Sequence, residues 1–124
     1  MILGIGTDLA NIERIQAVLD RFGDRFRNRV FTEMEQAKSE RRLDVAGSYA
    51  KRWAAKEAIA KALGTGIAKG VGWQQMEIQH NELGAPIAIL TTTALERLTE
   101  IGGKQVLISI SDERHYALAF CTII

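Results

Sequence analysis

Apolar positions recur along the chain with two different periods. Ile2, Leu3, Ile5 and Leu9, with Gly4 and Gly6 among them, predict a buried strand over 2–9 whose C-terminal end carries Thr7 and Asp8. Asn11 is a suitable cap for the segment behind it, where Ile12, Ile15, Val18 and Leu19 fall on one helical face. Thr32 and Glu35 have capping-box spacing and predict a short helix, followed by a polar connection over 39–44. Residues 51–66 are rich in alanine and other strong helix formers, and Gly64 and Gly66 supply a stop. The glycine-rich stretch 68–72 reads as a mobile loop. Strands are expected over 75–79 and 87–90, joined by a turn at 81–86. Thr91, Thr92 and Thr93 open a helix that runs through Ile101 and stops at Gly102-Gly103. Segments 106–111 and 116–123 make a closing hairpin over 112–115. Segregated helices and antiparallel hairpins make an α+β fold, not a doubly wound one.

Chemistry concentrates on the central helix. At a helical period Glu57 shares a face with Ala50, Trp53, Ala54, Ala60 and Lys61. Small neighbours allow close approach and partial desolvation, so the carboxylate needs a partner or a cation. Lys61, one turn on, offers a plain helical ion pair worth about 0.3–0.5 kcal/mol when exposed. Asp8 likewise reads either as a turn aspartate or as a ligand at a strand end. Arg14, Arg21, Arg25, Arg27 and Arg29, offset by Glu13, Asp20 and Asp24, form the one distinctly basic stretch. Runs of that kind are most often solvated faces.

Composition narrows the partners. With 124 residues, a single domain over 1–124 is expected, without linker or internal repeat. A net charge of +1 with 25% charged residues argues against a polyanion binder, so no nucleic acid is expected. No apolar run approaches the ~18 residues of a membrane span. Residues 1–6 are too short for the apolar core of a leader, and Asp8 interrupts them. With one cysteine, Cys121, no internal disulfide forms, and the expected location is cytoplasmic.

Two motifs in combination decide between the readings. Gly4-Ile5-Gly6-Thr7-Asp8, with Ile12 and Arg14-Ile15 behind it, is a weak signal alone. Lys51-Arg52-Trp53-Ala54-Ala55-Lys56-Glu57-Ala58, running through Lys61-Ala62-Leu63-Gly64-Thr65-Gly66, is specific. Together they resemble the 4′-phosphopantetheinyl transferases, within them the bacterial holo-[acyl-carrier-protein] synthase type. The similarity extends through Leu83-Gly84-Ala85-Pro86 and the last hairpin. The resemblance implies an antiparallel sheet packed against a long central helix, in homotrimers with active sites between subunits. It implies Mg²⁺-dependent transfer of phosphopantetheine from coenzyme A to a serine of acyl carrier protein, for fatty acid biosynthesis, with release of adenosine 3′,5′-bisphosphate. Asp8 and Glu57 would be the metal ligands, an oxygen pair suited to a hard cation. Lys61 would stabilise charge on the leaving phosphate. Gly64, Thr65 and Gly66 would offer N–H groups and a hydroxyl to phosphate or ribose oxygens. The base for the serine is Glu57 or a water on the metal; Glu57's commitment to the metal favours the water. Arg14, Arg21 and Arg25 would dock the acidic carrier protein, and Arg41 and Arg42 would hold the 3′-phosphate.

One position departs from the pattern. Many relatives have histidine directly after the serine that ends the penultimate strand, whereas this chain has Ser111-Asp112, with His115 further on. A carboxylate cannot donate to phosphate at neutral pH, so that contact does not carry over. Two other classes use part of the same residues. A metal-dependent phosphohydrolase of small nucleotides would need Asp8, Glu57 and Lys61 but no acceptor protein. A non-catalytic carrier-binding module would need only the arginines.

Overall fold

The computed structural model describes residues 1–124. In chain order the elements are β1 (Gly4–Asn11), α1 (Ile12–Phe22), α2 (Asp24–Val30), α3 (Glu33–Glu40), α4 (Val45–Ala62), β2 (Met76–His80), β3 (Pro86–Leu90), α5 (Thr92–Glu100), β4 (Val106–Asp112) and β5 (Tyr116–Ile123), with a 3-10 turn at Trp73–Gln75. The α+β class expected from the sequence holds. β5 pairs antiparallel with β1 on one side and β4 on the other, while β2 and β3 form a separate antiparallel hairpin. No helix is long and apolar enough to cross a membrane.

Everything packs around α4. Its start is set by Asp44, whose Oδ1 accepts from the Gly47 N–H at 2.9 Å. Its end is set by Gly64 and Gly66, at φ +80° and +63°, where a side chain would be strained. Thirteen of its eighteen residues are buried, so it is the core helix and not an amphipathic cover. Alanines at 54, 55, 58, 60 and 62 keep it thin and let the sheet come close. β5 meets it with Ala117, Ala119, Cys121 and Ile123.

β1 corrects the expectation of a buried strand over 2–9. It runs from Gly4 to Asn11, and the side of it turned to α4 carries Gly4, Gly6, Asp8 and Ala10. Ile5 and Leu9 point the other way and are 62% and 61% exposed. A Cβ on Gly6 would stand 2.0 Å from the Ala58 carbonyl oxygen, so glycine is what permits the contact. Asp8 therefore sits within the strand on its helix-facing side, not at the strand's end.

A buried ion pair ties α2 and α3 to α4. The capping box is formed in full: the Thr32 hydroxyl accepts from the Glu35 N–H, and Glu35 Oε1 accepts from the Thr32 N–H. Glu35 is itself fully buried, and its Oε2 accepts from the Ile78 N–H at 2.8 Å. Lys56 of α4 donates to Glu35 Oε1 (2.6 Å), the Val30 carbonyl (2.8 Å) and the Trp73 carbonyl (3.0 Å). All three ammonium protons are thereby used. The segment after α4 is anchored by buried Val71 and by Trp73, which stacks on Trp53 at 4.4 Å. Ser39 lies inside α3 and is buried, so the polar connection is shorter than the composition of 39–44 suggests.

Candidate active site

β1 and α4 bring together the three residues singled out for chemistry. Lys61 does not pair with Glu57 on its own helix. Its ammonium crosses to β1, donating to the Thr7 carbonyl at 2.9 Å and to Asp8 Oδ1 at 3.4 Å. The Asp8 side chain is only 16% exposed, whereas that of Lys61 is half exposed. Glu57 is half-buried beside them. Burial, then the charge of Asp8, push its carboxyl pKa up, and Lys61 only partly opposes this. Two carboxylates on facing elements, with the charge of Asp8 raising the cost of charging Glu57, suit a divalent cation with hard oxygen preference. The donor set fits Mg²⁺, which takes one or two carboxylates and completes its shell with phosphate and water.

A second feature is strongly basic. A cavity of about 540 Å³ lies between α3, the N-terminal half of α4 and the β2–β3 turn. Lys38, Arg41, Arg42, Lys51, Arg52 and His80 line it, and no carboxylate does. Arg52 is 95% buried, its guanidinium bonded to the hydroxyls of Ser48 (2.8 Å) and Ser39 (3.1 Å), with Nε unpartnered. A buried guanidinium without a carboxylate is costly unless an anion completes it. The sequence pointed to Arg41 and Arg42 here. It missed Lys38, Lys51, Arg52 and His80, although the four-residue spacing of Ser48 and Arg52 was a usable signal.

Gly64 and Thr65 stand elsewhere. They line a smaller depression with Lys69, Thr93, Arg97 and two acids, Glu96 and Glu100. The Thr65 hydroxyl already donates to the Gly66 carbonyl at 2.8 Å. Gly66 N–H bonds back to the Ala60 carbonyl, so these groups cap α4. Arg14, Arg21 and Arg25 are exposed and without carboxylate partners. Arg27, by contrast, is held by Asp24 and Glu40.

A model of the 4′-phosphopantetheinyl transferase superfamily matches residues 4–121. The chain belongs to that superfamily. A holo-[acyl-carrier-protein] synthase from Ruegeria sp. is 60% identical over 99% of this chain and 89% of its own length. The crystal structure of a holo-[acyl-carrier-protein] synthase from Neisseria meningitidis superposes with a TM-score of 0.91 at 39% identity, covering 100% of this chain and 99% of the other. One from Helicobacter pylori, in complex with coenzyme A, gives 0.85 at 28% identity, covering 97% and 99%. The chain is thus an enzyme, a phosphopantetheinyl transferase of the holo-[acyl-carrier-protein] synthase type.

In this transferase Asp112 is the last residue of β4, opposite Ala117, and not part of a free turn. It lines a shallow depression with Arg41, Arg42 and Lys51, next to the basic cavity. His115 is turned away toward α1, with Nδ1 against Glu13 Oε1 at 2.5 Å. It does not stand in for a histidine at 112.

Proposed function

We propose that the chain transfers 4′-phosphopantetheine from coenzyme A to a serine of an acyl carrier protein, in fatty acid biosynthesis in the cytoplasm. The observation that carries this reading is the convergence of Asp8, Glu57 and Lys61 across β1 and α4. When bound by Asp8 and Glu57, Mg²⁺ would neutralise the pyrophosphate oxygens of coenzyme A. Lys61, already directed to that point and half exposed, adds positive charge where the leaving phosphate gains electrons. The serine oxygen forms a bond to the phosphorus bearing pantetheine, and the bond from that phosphorus to the bridging oxygen breaks. Adenosine 3′,5′-bisphosphate leaves with the electron pair, and the serine proton passes to a water held beside Asp8 and Glu57. Arg41, Arg42 and Arg52 hold the 3′-phosphate, an assignment supported by a cavity with five fixed cations and no acid. Gly64, Thr65 and Gly66 act chiefly by ending α4, and any contact with substrate comes through Gly64 and Thr65.

Exposed Arg14, Arg21 and Arg25 meet an acidic carrier protein, steering it with little cost in desolvation. The assembly is a homotrimer of single-domain subunits.

Apo carrier protein incubated with coenzyme A, Mg²⁺ and the enzyme should gain one phosphopantetheine by mass spectrometry. Asp8→Asn and Glu57→Gln should stay folded and lose roughly two orders of magnitude or more in rate, the scale of one preorganised charge-stabilising group. Full activity in either variant at saturating Mg²⁺ would reject the pair as ligands. Release of phosphopantetheine without carrier protein would favour a phosphohydrolase instead.

A further inference from the structure

His80 is the one group in the basic cavity whose charge can change near neutral pH. Its lining partners are permanent cations: Lys38 from α3, Arg41 and Arg42 from the connection after it, Lys51 and Arg52 from α4. The neighbouring acids, Asp112 of β4 and Asp44 at the α4 cap, belong to the adjoining depression. The position of His80 is built, not incidental. It is the last residue of β2, in register with Pro86 of β3. The turn behind it is locked by Asn81, whose Oδ1 accepts from the Leu83 and Ala85 N–H groups at 2.9 Å each. Gly84, at φ +86°, closes the same turn and also lines the cavity.

We propose that His80 makes this cavity a proton-coupled phosphate site, neutral when empty and protonated when a phosphomonoester dianion enters. The proposal rests on reading the cavity as the 3′-phosphate subsite. In the empty cavity every charge facing His80 is positive, and adding another is unfavourable. His80 keeps an exposed edge, yet the desolvation it meets at the cavity wall, followed by Arg52, Lys51, Lys38 and Arg42, holds the imidazole below its ordinary pKa. A dianion reverses the sign of the local field, and the ring takes one proton from solvent and offers N–H donors to phosphate oxygens. The linkage has a definite sign. A proton is taken up on binding, so affinity rises as pH falls between the ring's pKa in the complex and its lower value in the empty cavity. Its slope is at most about tenfold per pH unit, that of one linked proton. Dephospho-coenzyme A, lacking the 3′-phosphate, draws no proton, so discrimination between the two nucleotides is itself pH-dependent.

Calorimetric titration with coenzyme A at pH 7, in buffers of different ionisation enthalpy, reads the proton directly. Wild-type enzyme should take up a proton with coenzyme A and none with dephospho-coenzyme A. In His80→Gln, which keeps a hydrogen-bonding side chain without a titrating ring, uptake should vanish. Between pH 7.5 and 6.0 the wild-type preference for coenzyme A should rise severalfold relative to that of the variant, which corrects for titration of the phosphate itself. The chain has two histidines, so the C2–H resonance lost in His80→Gln identifies His80 by NMR. That resonance should move to its imidazolium position on addition of coenzyme A, while His115 serves as the control. Equal proton uptake in wild type and variant, or a His80 resonance that stays neutral in the complex, overturns the coupling and leaves the phosphate subsite standing. Equal affinity of wild-type enzyme for the two nucleotides overturns the subsite reading, and the coupling with it.

Discussion

Lys56 and Glu35 show how the residue beside a candidate ligand can carry the architecture. Both side chains have no exposed area, and between them they join the end of α2, the capping box of α3, the 3-10 turn and β2 to the centre of α4. Desolvating two charges costs several kcal/mol per ion, so the pair is tolerable only because every proton and nearly every lone pair is used. Truncating one partner is the severe change. Lys56→Met should destabilise by roughly 3–5 kcal/mol, because it strands the Glu35 carboxylate and two carbonyls. Glu35→Gln combined with Lys56→Met should recover part of that loss. Urea unfolding of the two variants checks it, and a double variant no more stable than the single one would contradict this account. Since Glu57 follows Lys56 directly, the same pair fixes the turn of helix from which the proposed metal ligand projects.

At the level of elements the close approach of β1 to α4 sets the site. Gly6→Ala should cost about 1–3 kcal/mol or more, since its Cβ would press on the backbone oxygen of Ala58, which no rotamer can relieve. Asp8, two residues along the same face, would be lifted from Glu57, so transfer should fall further than loss of folded protein explains. Thermal melts beside the mass-spectrometric assay separate the two; activity that simply tracks folded fraction would show that β1 placement is not critical. The same contact explains what could be read from the sequence. Element types and order were legible because capping residues and turn glycines act locally: Asn11, Thr32 with Glu35, Gly64 and the 81–86 turn all do what their chemistry suggests. The inner face of β1 was not legible, because its helix-facing residues are glycine, aspartate and alanine while its large apolar residues face outward. Short helix α2 was missed since its charged sequence resembles a surface run until Arg27 finds Glu40 and Val30 is buried. The motif singled out Asp8, Glu57 and Lys61, which the fold brings together. The basic cavity was only partly legible, because Lys38, Lys51 and His80 meet through tertiary packing of three separate elements.

For the whole molecule the outer face of the β1–β5–β4 sheet raises the question of what covers it. Ile5 and Leu9 of β1, Leu107 of β4, and Tyr116, Leu118 and Phe120 of β5 all lie on that face, each between 42% and 62% exposed. The polar positions there, Thr7, Asn11, Ser109, Ser111 and Thr122, are all uncharged, so the face lacks the charged alternation of a solvated antiparallel sheet. A patch of this kind marks an association surface. The homotrimer proposed above gives it an occupant, and the position of Asp8 gives the assembly a function. Thr7 and Lys61, which touch one another, also line a shallow hollow with Ile5 and Phe120. Lys61, one of the proposed reacting groups, thus stands at the margin of the apolar face, where a neighbouring copy would wall it from water. Phe120→Glu should convert the trimer to monomer in sedimentation equilibrium, because a charge at the centre of the face cannot be buried unpaired. Phe120 is 42% exposed on the side of β5 away from α4, so the substitution should leave the monomer's melting transition largely intact. If sites lie between subunits, transfer should fall with assembly and recover at protein concentrations that restore the trimer. Activity that is independent of concentration in a monomeric Phe120→Glu protein would show that each chain carries a complete site.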